Sequence, residues 1–334
     1  MRVGTSLRFM FPTSPKTLAT FQRTLAAAPP GTFLERPMGA FDTGEQARNL
    51  LEVATAARTA GLDGLLWGDN HAMSPAYANV FQPVPTLARI TAVTGDMPVG
   101  FVLLGPFYHP LLLAEQVGTI CAFTDAPFIL TFALGGNGRA FQSYGMELRT
   151  RVGRLEELVP LVRRLLAGEQ VTHDGRYFTL RGATIAPLPR RPVAIWMAGT
   201  LGASVERAGR LADGWLTAQN ASRDDLKAQL GLYLETAARH GRPALPVLRR
   251  DIYVGESDAE ARAVVDPILA EGYRGAGYDA LLVGGPETVI RQLREYREMG
   301  FEDVMVRHTV GDHQQMLRSF ELIGSHVMPA IRDL

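Results

Sequence analysis

The chain has 334 residues, 46% hydrophobic and 20% charged, a globular composition with apolar material for a large core. Lysine plus arginine (34) equals aspartate plus glutamate (34), so there is no basic excess with which to grip nucleic acid. Cys121 is the only cysteine, which excludes an intrachain disulfide and a cysteine-based metal site.

The first eleven residues, MRVGTSLRFMF, are broken by Thr5, Ser6 and Arg8 and read as a strand (3–9) rather than a signal peptide. A proline-rich excursion, 10–43, follows. Helix 45–60, strand 64–68, helix 85–94 and strand 99–104 come next. The longest apolar run, 101–114, holds two prolines and a histidine and is too short to cross a membrane. No membrane contact and a cytoplasmic location are the resulting expectations. Helix 111–122 and strand 128–134 lead to helix 150–167. There Leu155, Leu158, Val162, Leu165 and Leu166 recur at three- and four-residue steps, one apolar stripe for packing on a sheet. Segment 168–191 carries two strand-like pieces, 176–180 and 183–185.

The second half continues with strand 193–198, helix 202–211, strand 214–218, helix 223–240 and strand 247–254. Helices 258–270 and 287–299, strand 304–307 and a last helix, 314–331, close the chain. The strands are near-continuous apolar runs, as in a parallel sheet buried on both faces. Eight strands alternating with helices predict an α/β fold, a (β/α)8 TIM barrel over residues 1–334. Its insertions are 10–43, after the first strand, and 168–191, before the fifth. The first should lie over the active site as a lid or substrate wall, because such barrels work at the C-terminal ends of their strands.

That rule selects candidates directly: Asp69, Asn70 and His71 after the second strand, and Gly105, Tyr108 and His109 after the third. Gly135, Gly136, Asn137, Gly138 and Arg139 follow the fourth, Gly199 and Thr200 the fifth, Gln219 and Asn220 the sixth, and His308 the eighth. A histidine at a strand end suits general acid–base work, and Asp69 can orient His71. His71, His109 and His308 could converge on a metal, but no metal-ligand spacing supports it, and we expect none. The glycines at 135–138 suit close backbone approach to a flat ligand or a phosphate, with Arg139 as a phosphate partner; a plain loop is the alternative. Trp67, Phe101, Phe107, Tyr108 and Trp196 suit a planar ring or an ordinary barrel core. The pairs Arg163-Arg164, Arg190-Arg191 and Arg249-Arg250 read as solvated faces or phosphate contacts. In PVAIWMAGTLGASVERAGRLADGW, a strand runs through a Gly/Thr turn into a helix, which aims N–H groups and a helix dipole at one point. That is a phosphate site or an ordinary connection.

These residues resemble the bacterial-luciferase-like superfamily of flavin- and deazaflavin-dependent oxidoreductases. The matching pieces are GLDGLLWGDNH, MPVGFVLLGPFYHPLLLAEQ, RVGRLEELVPLVRRLLAGEQVTHDGRYFTL, the Pro192–Trp215 stretch and VGGPETVIRQL. The resemblance implies FMN or coenzyme F420 at the barrel mouth, with Gly199 and Thr200 cradling its phosphate. It also implies a non-proline cis peptide at Val102–Leu103 behind the cofactor ring. Asn70 stands where the family often has its first histidine, so either His71 takes over or Asn70 hydrogen-bonds the ring. The implied function is a two-component monooxygenase that uses reduced FMN, from a separate flavin reductase, and O2 on a small-molecule substrate. F420-dependent hydride transfer and a non-catalytic flavin-binding protein are the alternatives. A homodimer is the family's common assembly.

Overall fold

A computed structural model describes residues 1–7, 10–12, 42–72, 78–270, 272–273 and 277–332. In chain order the first half contains β1 (Arg2–Ser6), β2 (Met10–Pro12), α1 (Thr43–Thr59), β3 (Leu65–Gly68), β4 (Ala78–Val80), α2 (Pro83–Thr94), β5 (Val99–Leu104), α3 (Pro110–Ala122), β6 (Phe128–Ala133), α4 (Gly138–Ser143) and α5 (Arg151–Leu166). It continues with β7 (Val171–Asp174), β8 (Thr179–Ala183), β9 (Ala194–Ala198), α6 (Gly202–Leu211), β10 (Gly214–Leu216), α7 (Arg223–Arg239), β11 (Leu245–Val254), α8 (Asp258–Ala270), β12 (Leu281–Gly284), α9 (Pro286–Glu298), β13 (Asp303–His308), α10 (His313–Leu322) and α11 (Met328–Arg332).

Strands β1, β3, β5, β6, β9, β10, β11 and β13 pair in parallel in that order, and β13 pairs back with β1, so the ring closes as a TIM barrel. All eight coincide with the strands expected from the sequence. β12 was not foreseen. It runs parallel to the second half of β11, from Asp251 opposite Leu281 to Val254 opposite Gly284, beyond the point where β10 stops pairing. The 168–191 insertion holds an antiparallel hairpin, β7 with β8, rather than the two pieces expected. Of the 10–43 excursion, only its ends lie within the described residues; the expected lid over the site lies outside them.

Alternation along each strand separates two environments. Outward residues such as Leu65, Trp67, Leu103, Phe132, Leu248 and Val306 pack under the helices. Inward residues Leu66, Trp196, Leu216, Val247 and Met305 form a separate cluster that fills the lower barrel. The filling is tight: a Cβ on Gly4 would meet Met305 Sδ at 2.7 Å, and one on Gly214 would meet the Trp196 ring at 2.6 Å.

Higher up, the inward side chains shrink. Following the hydrogen-bonded registers round a barrel of shear about 8 puts Ser6, Val102, Ala198 and Arg249 in one layer, with Gly68, Ala133 and Arg307 next toward the mouth. Ser6, Gly68, Ala133 and Ala198 are small at this level, whereas Arg249 and Arg307 are its long side chains.

Candidate active site at the barrel mouth

β3 ends at Gly68, and the chain turns at Asp69, Asn70 and His71. The Asp69 backbone N–H still donates to Val102 O at 3.2 Å, so the turn is fastened to β5. Asp69 is buried, and its carboxylate is well supplied with donors. It accepts the Leu104 N–H at 3.0 and 3.1 Å, the Tyr108 hydroxyl at 2.8 Å and His71 Nε2 at 3.1 Å. Burial, with the adjacent Asp69 charge, pushes the Tyr108 phenol above its ordinary range, so it stays a donor. Since the carboxylate only accepts, the network assigns the Nε2 proton to His71 and leaves Nδ1 as the acceptor. Nδ1 faces the Tyr144 hydroxyl at 3.0 Å.

The His71 ring is 7% exposed and enclosed by aromatic rings. Phe107 lies 4.9 Å away, Tyr144 5.3 Å and Tyr108 6.1 Å, centroid to centroid, and Phe141 backs Phe107 at 4.6 Å. Tyr144 is 50% exposed and caps the C-terminus of α4, so it is the outermost member of a line running Tyr108, Asp69, His71, Tyr144. Asn70 serves the turn: its Oδ1 accepts the His71 N–H at 2.9 Å, and its carbonyl accepts from Gln82 at 3.2 Å.

Other expected site residues fall into place unevenly. Val102 faces the interior, whereas Leu103 is fully buried on the outer face under the helices and does not face the mouth. The Val102–Leu103 bond is trans, since Ala186–Pro187 is the only cis bond among the described residues. β5 keeps an unbroken register with β6 from Val99 through Leu104, so the strand needs no strained bond there. Gly135 takes φ +68°, and Gly136 and Gly138 have nothing among the described residues within 4 Å of a Cβ position. The Arg139 N–H is capped by Asn137 Oδ1 at 3.1 Å.

At the β9–α6 turn the Gly199 N–H is used by Leu216 O at 3.2 Å. The Thr200 and Leu201 N–H groups both donate to Ser204 Oγ at 2.9 Å. The donors expected of Gly199 and Thr200 are thus already partnered, and the first-turn amides of α6 at Gly202 and Ala203 are the ones a helix leaves over. Ser204 shapes the turn and was not singled out in the sequence.

The three strand-end histidines do not converge. His109 N-caps α3 and edges Phe178 at 5.8 Å, and His308 packs on Phe320 of α10 at 4.3 Å, outside the barrel. No cluster suited to a metal occurs among the described residues. Nor is any helix among them long and apolar enough to cross a membrane. Of the pair read as a solvated face or phosphate contact, Arg250 corrects the solvated alternative. Arg249 faces the barrel interior, and Arg250 is fully buried on the outer face. Its guanidinium donates to the carbonyls of Ala218, Gln219 and Ala221 and to Tyr296 Oη, which pins the loop after β10.

A barrel with a buried acid–histidine pair at one strand end and a helix N-terminus three strands on has, at its mouth, the parts of a site for a phosphate-bearing ligand. Residues 31–303 match the family model described as luciferase-like monooxygenase, so the chain belongs to that family and is an oxidoreductase. The F420-dependent glucose-6-phosphate dehydrogenase of Nakamurella multipartita is 26% identical over 324 residues, covering 85% of this chain and 93% of that protein. The enzyme of the same name from Rhodococcus erythropolis is 26% identical over 327 residues, covering 86% and 94%. The monooxygenase RslO1 from Streptomyces bottropensis superposes with a TM-score of 0.78 at 21% identity, covering 98% of this chain and 99% of that one.

Proposed function

We propose that the protein binds F420 at the barrel mouth and transfers a hydride between it and the alcohol or carbonyl carbon of a small organic molecule. The observation that carries this reading is the buried His71, held at one nitrogen by Asp69 and at the other by Tyr144. Oxidising an alcohol releases a hydride from carbon and a proton from oxygen, and the proton needs an acceptor that stays oriented. The names of the relatives above point to F420 rather than FMN.

The residues fit such a cofactor. The small side chains of Ser6, Ala133 and Ala198 leave room for a planar ring over the core. Thr131 Oγ1, beneath Ala133, is a buried interior hydroxyl with no hydrogen-bond partner among the described residues. The Gly202 and Ala203 amides would hold the phosphate, with Ser204 keeping the turn in shape. When bound, the cofactor supplies a two-electron hydride acceptor or donor. His71 takes the substrate proton at Nδ1, directly or through the Tyr144 hydroxyl. Asp69 keeps the other ring nitrogen protonated and steadies the imidazolium that forms. Phe107 and Phe141 keep water from the ring.

The aromatic enclosure of His71 favours a second reading, since oxygen chemistry on reduced FMN also needs water excluded. That reading adds a separate flavin reductase and O2. Fluorescence titration of the apoprotein with oxidised and reduced FMN and with F420 separates the two. Tight F420 binding supports hydride transfer, preference for reduced FMN supports the monooxygenase, and binding of neither overturns both.

A further inference from the structure

We propose that Arg249 anchors a substrate oxyanion, a carboxylate or phosphate, inside the barrel mouth. The proposal rests on the mouth being where cofactor and substrate meet. On β11, Leu245 and Val247 face the interior cluster while Leu248 and Ile252 face the helices, so alternation turns Arg249 and Asp251 inward. Arg307 on β13 is inward for the same reason, since it follows Met305 by two residues.

The charges at this level do not balance among the described residues. The Arg307 guanidinium pairs with Asp251 Oδ2 at 2.7 Å, and the Tyr273 hydroxyl donates to the same oxygen at 2.6 Å. Oδ2 of that carboxylate is therefore committed, while the Asp251 charge partly offsets the effect of Arg307 on Arg249. Arg249 has no ion pair among the described residues, and its Nε is buried without a hydrogen-bond partner. Burial and the neighbouring Arg307 cation push the Arg249 guanidinium down to about 10. Arg250 next to it shows how this fold treats a buried guanidinium that has only a structural task, with carbonyls and a phenol on its donors.

A half-buried guanidinium facing the interior with no ion pair among the described residues is costly, and a chain that keeps one within a layer of Ser6, Val102 and Ala198 holds it ready for an anion. The fork of an arginine matches the flat O–C–O of a carboxylate or two oxygens of a phosphate. The small neighbours Ser6 and Ala198 leave room for that group over the core. A neutral hydrocarbon or simple alkanol would leave the cation unsatisfied, so the substrate class narrows to hydroxy or carbonyl compounds that also carry an oxyanion.

The test uses the full-length protein and a matched pair of probes, acetate and acetamide, at constant ionic strength. Thermal unfolding should show a saturable Tm rise of several degrees with acetate in large excess over its Kd and none with acetamide. Arg249→Met should weaken the acetate response at least about tenfold, as losing a charged hydrogen-bonding partner does, while Arg249→Lys retains part of it. Cofactor affinity, measured by fluorescence, should stay within about twofold of wild type in both variants. Equal responses of the wild type to acetate and acetamide would overturn the proposal without need of any variant. So would an Arg249→Met protein that keeps its acetate response, or one that loses cofactor affinity instead. Loss of cofactor binding in the wild type sinks the F420 and FMN readings and leaves the acetate result to be judged by itself.

Discussion

The Tyr144 hydroxyl lies 3.0 Å from His71 Nδ1, and it occupies the only nitrogen that the Asp69 contact leaves over. A proton reaching His71 from the mouth must therefore pass through this phenol or displace it. Tyr144 is half exposed while His71 is buried, so the pair spans the boundary between solvent and site.

Tyr144→Phe keeps the ring contacts with His71 and Phe107 and removes only the hydroxyl. With substrate in hand, kcat should fall about 10- to 100-fold, within the range for a lost proton-transfer partner, and KM should change little. The pH–rate profile should shift as well, because a group that only packs would leave it in place. An unchanged profile with unchanged kcat removes Tyr144 from the relay.

His71→Gln should cost about 10²- to 10⁴-fold in kcat with cofactor affinity intact by fluorescence titration. Asp69→Asn should cost both activity and stability. The Asn amide presents N–H to donors that need an acceptor, namely the Leu104 amide, the Tyr108 phenol and His71 Nε2. Leaving such groups unmatched costs about 1–3 kcal/mol each, read as a lower urea midpoint.

Ser204→Ala removes the oxygen that gathers the Thr200 and Leu201 amides. Unfolding should be easier by about 0.5–2 kcal/mol, the usual cost of losing a helix cap. Cofactor affinity should fall too, because the turn that presents the Gly202 and Ala203 amides loses its brace. Equal cofactor affinity in the variant would place the phosphate elsewhere.

Burial in α3 pushes the Cys121 thiol up to about 12. A group held protonated in the fold but free to ionise in the unfolded chain makes stability fall as pH rises, here from about 9, the unfolded value, toward 12. In the native protein at pH 8 the thiol should be inert to a disulfide reagent and should react fully only after denaturation. Rapid reaction in the native state would show that α3 opens locally.

The barrel was legible because its signal is periodic: eight apolar strand runs and the stripe of Leu155, Leu158 and Val162 follow from burial on two faces and on one. Asp69 and His71 were legible because they follow a strand end directly. Tyr144 was not, since a short helix after β6 brings it back over β3, a contact across 73 residues that no local pattern encodes. Ser204 was missed because its work is to satisfy backbone amides, which sequence does not display. Arg249 and Arg250 read as solvated faces or phosphate contacts, and the solvated alternative fails for Arg250, because strand alternation sends one residue in and the other out under the helices. The expected cis bond at Val102–Leu103 came from likeness alone, and the regular β5 register gives it no place.

The Arg307–Asp251 pair gives a last expectation, about stability rather than chemistry. Both side chains are buried, at 4% and 1% exposure, and Tyr273 adds a second hydrogen bond to the same carboxylate oxygen. Asp251→Ala leaves the Arg307 cation buried beside Arg249 with no carboxylate, and removing one partner of such a pair typically costs about 3–5 kcal/mol. A second, opposite change tests the cause. In the Asp251→Ala background, Arg307→Met removes the stranded charge and should recover much of the loss, a coupling read in a double-mutant cycle of urea midpoints. Simple additivity would mean that packing, not charge, holds this corner of the mouth together.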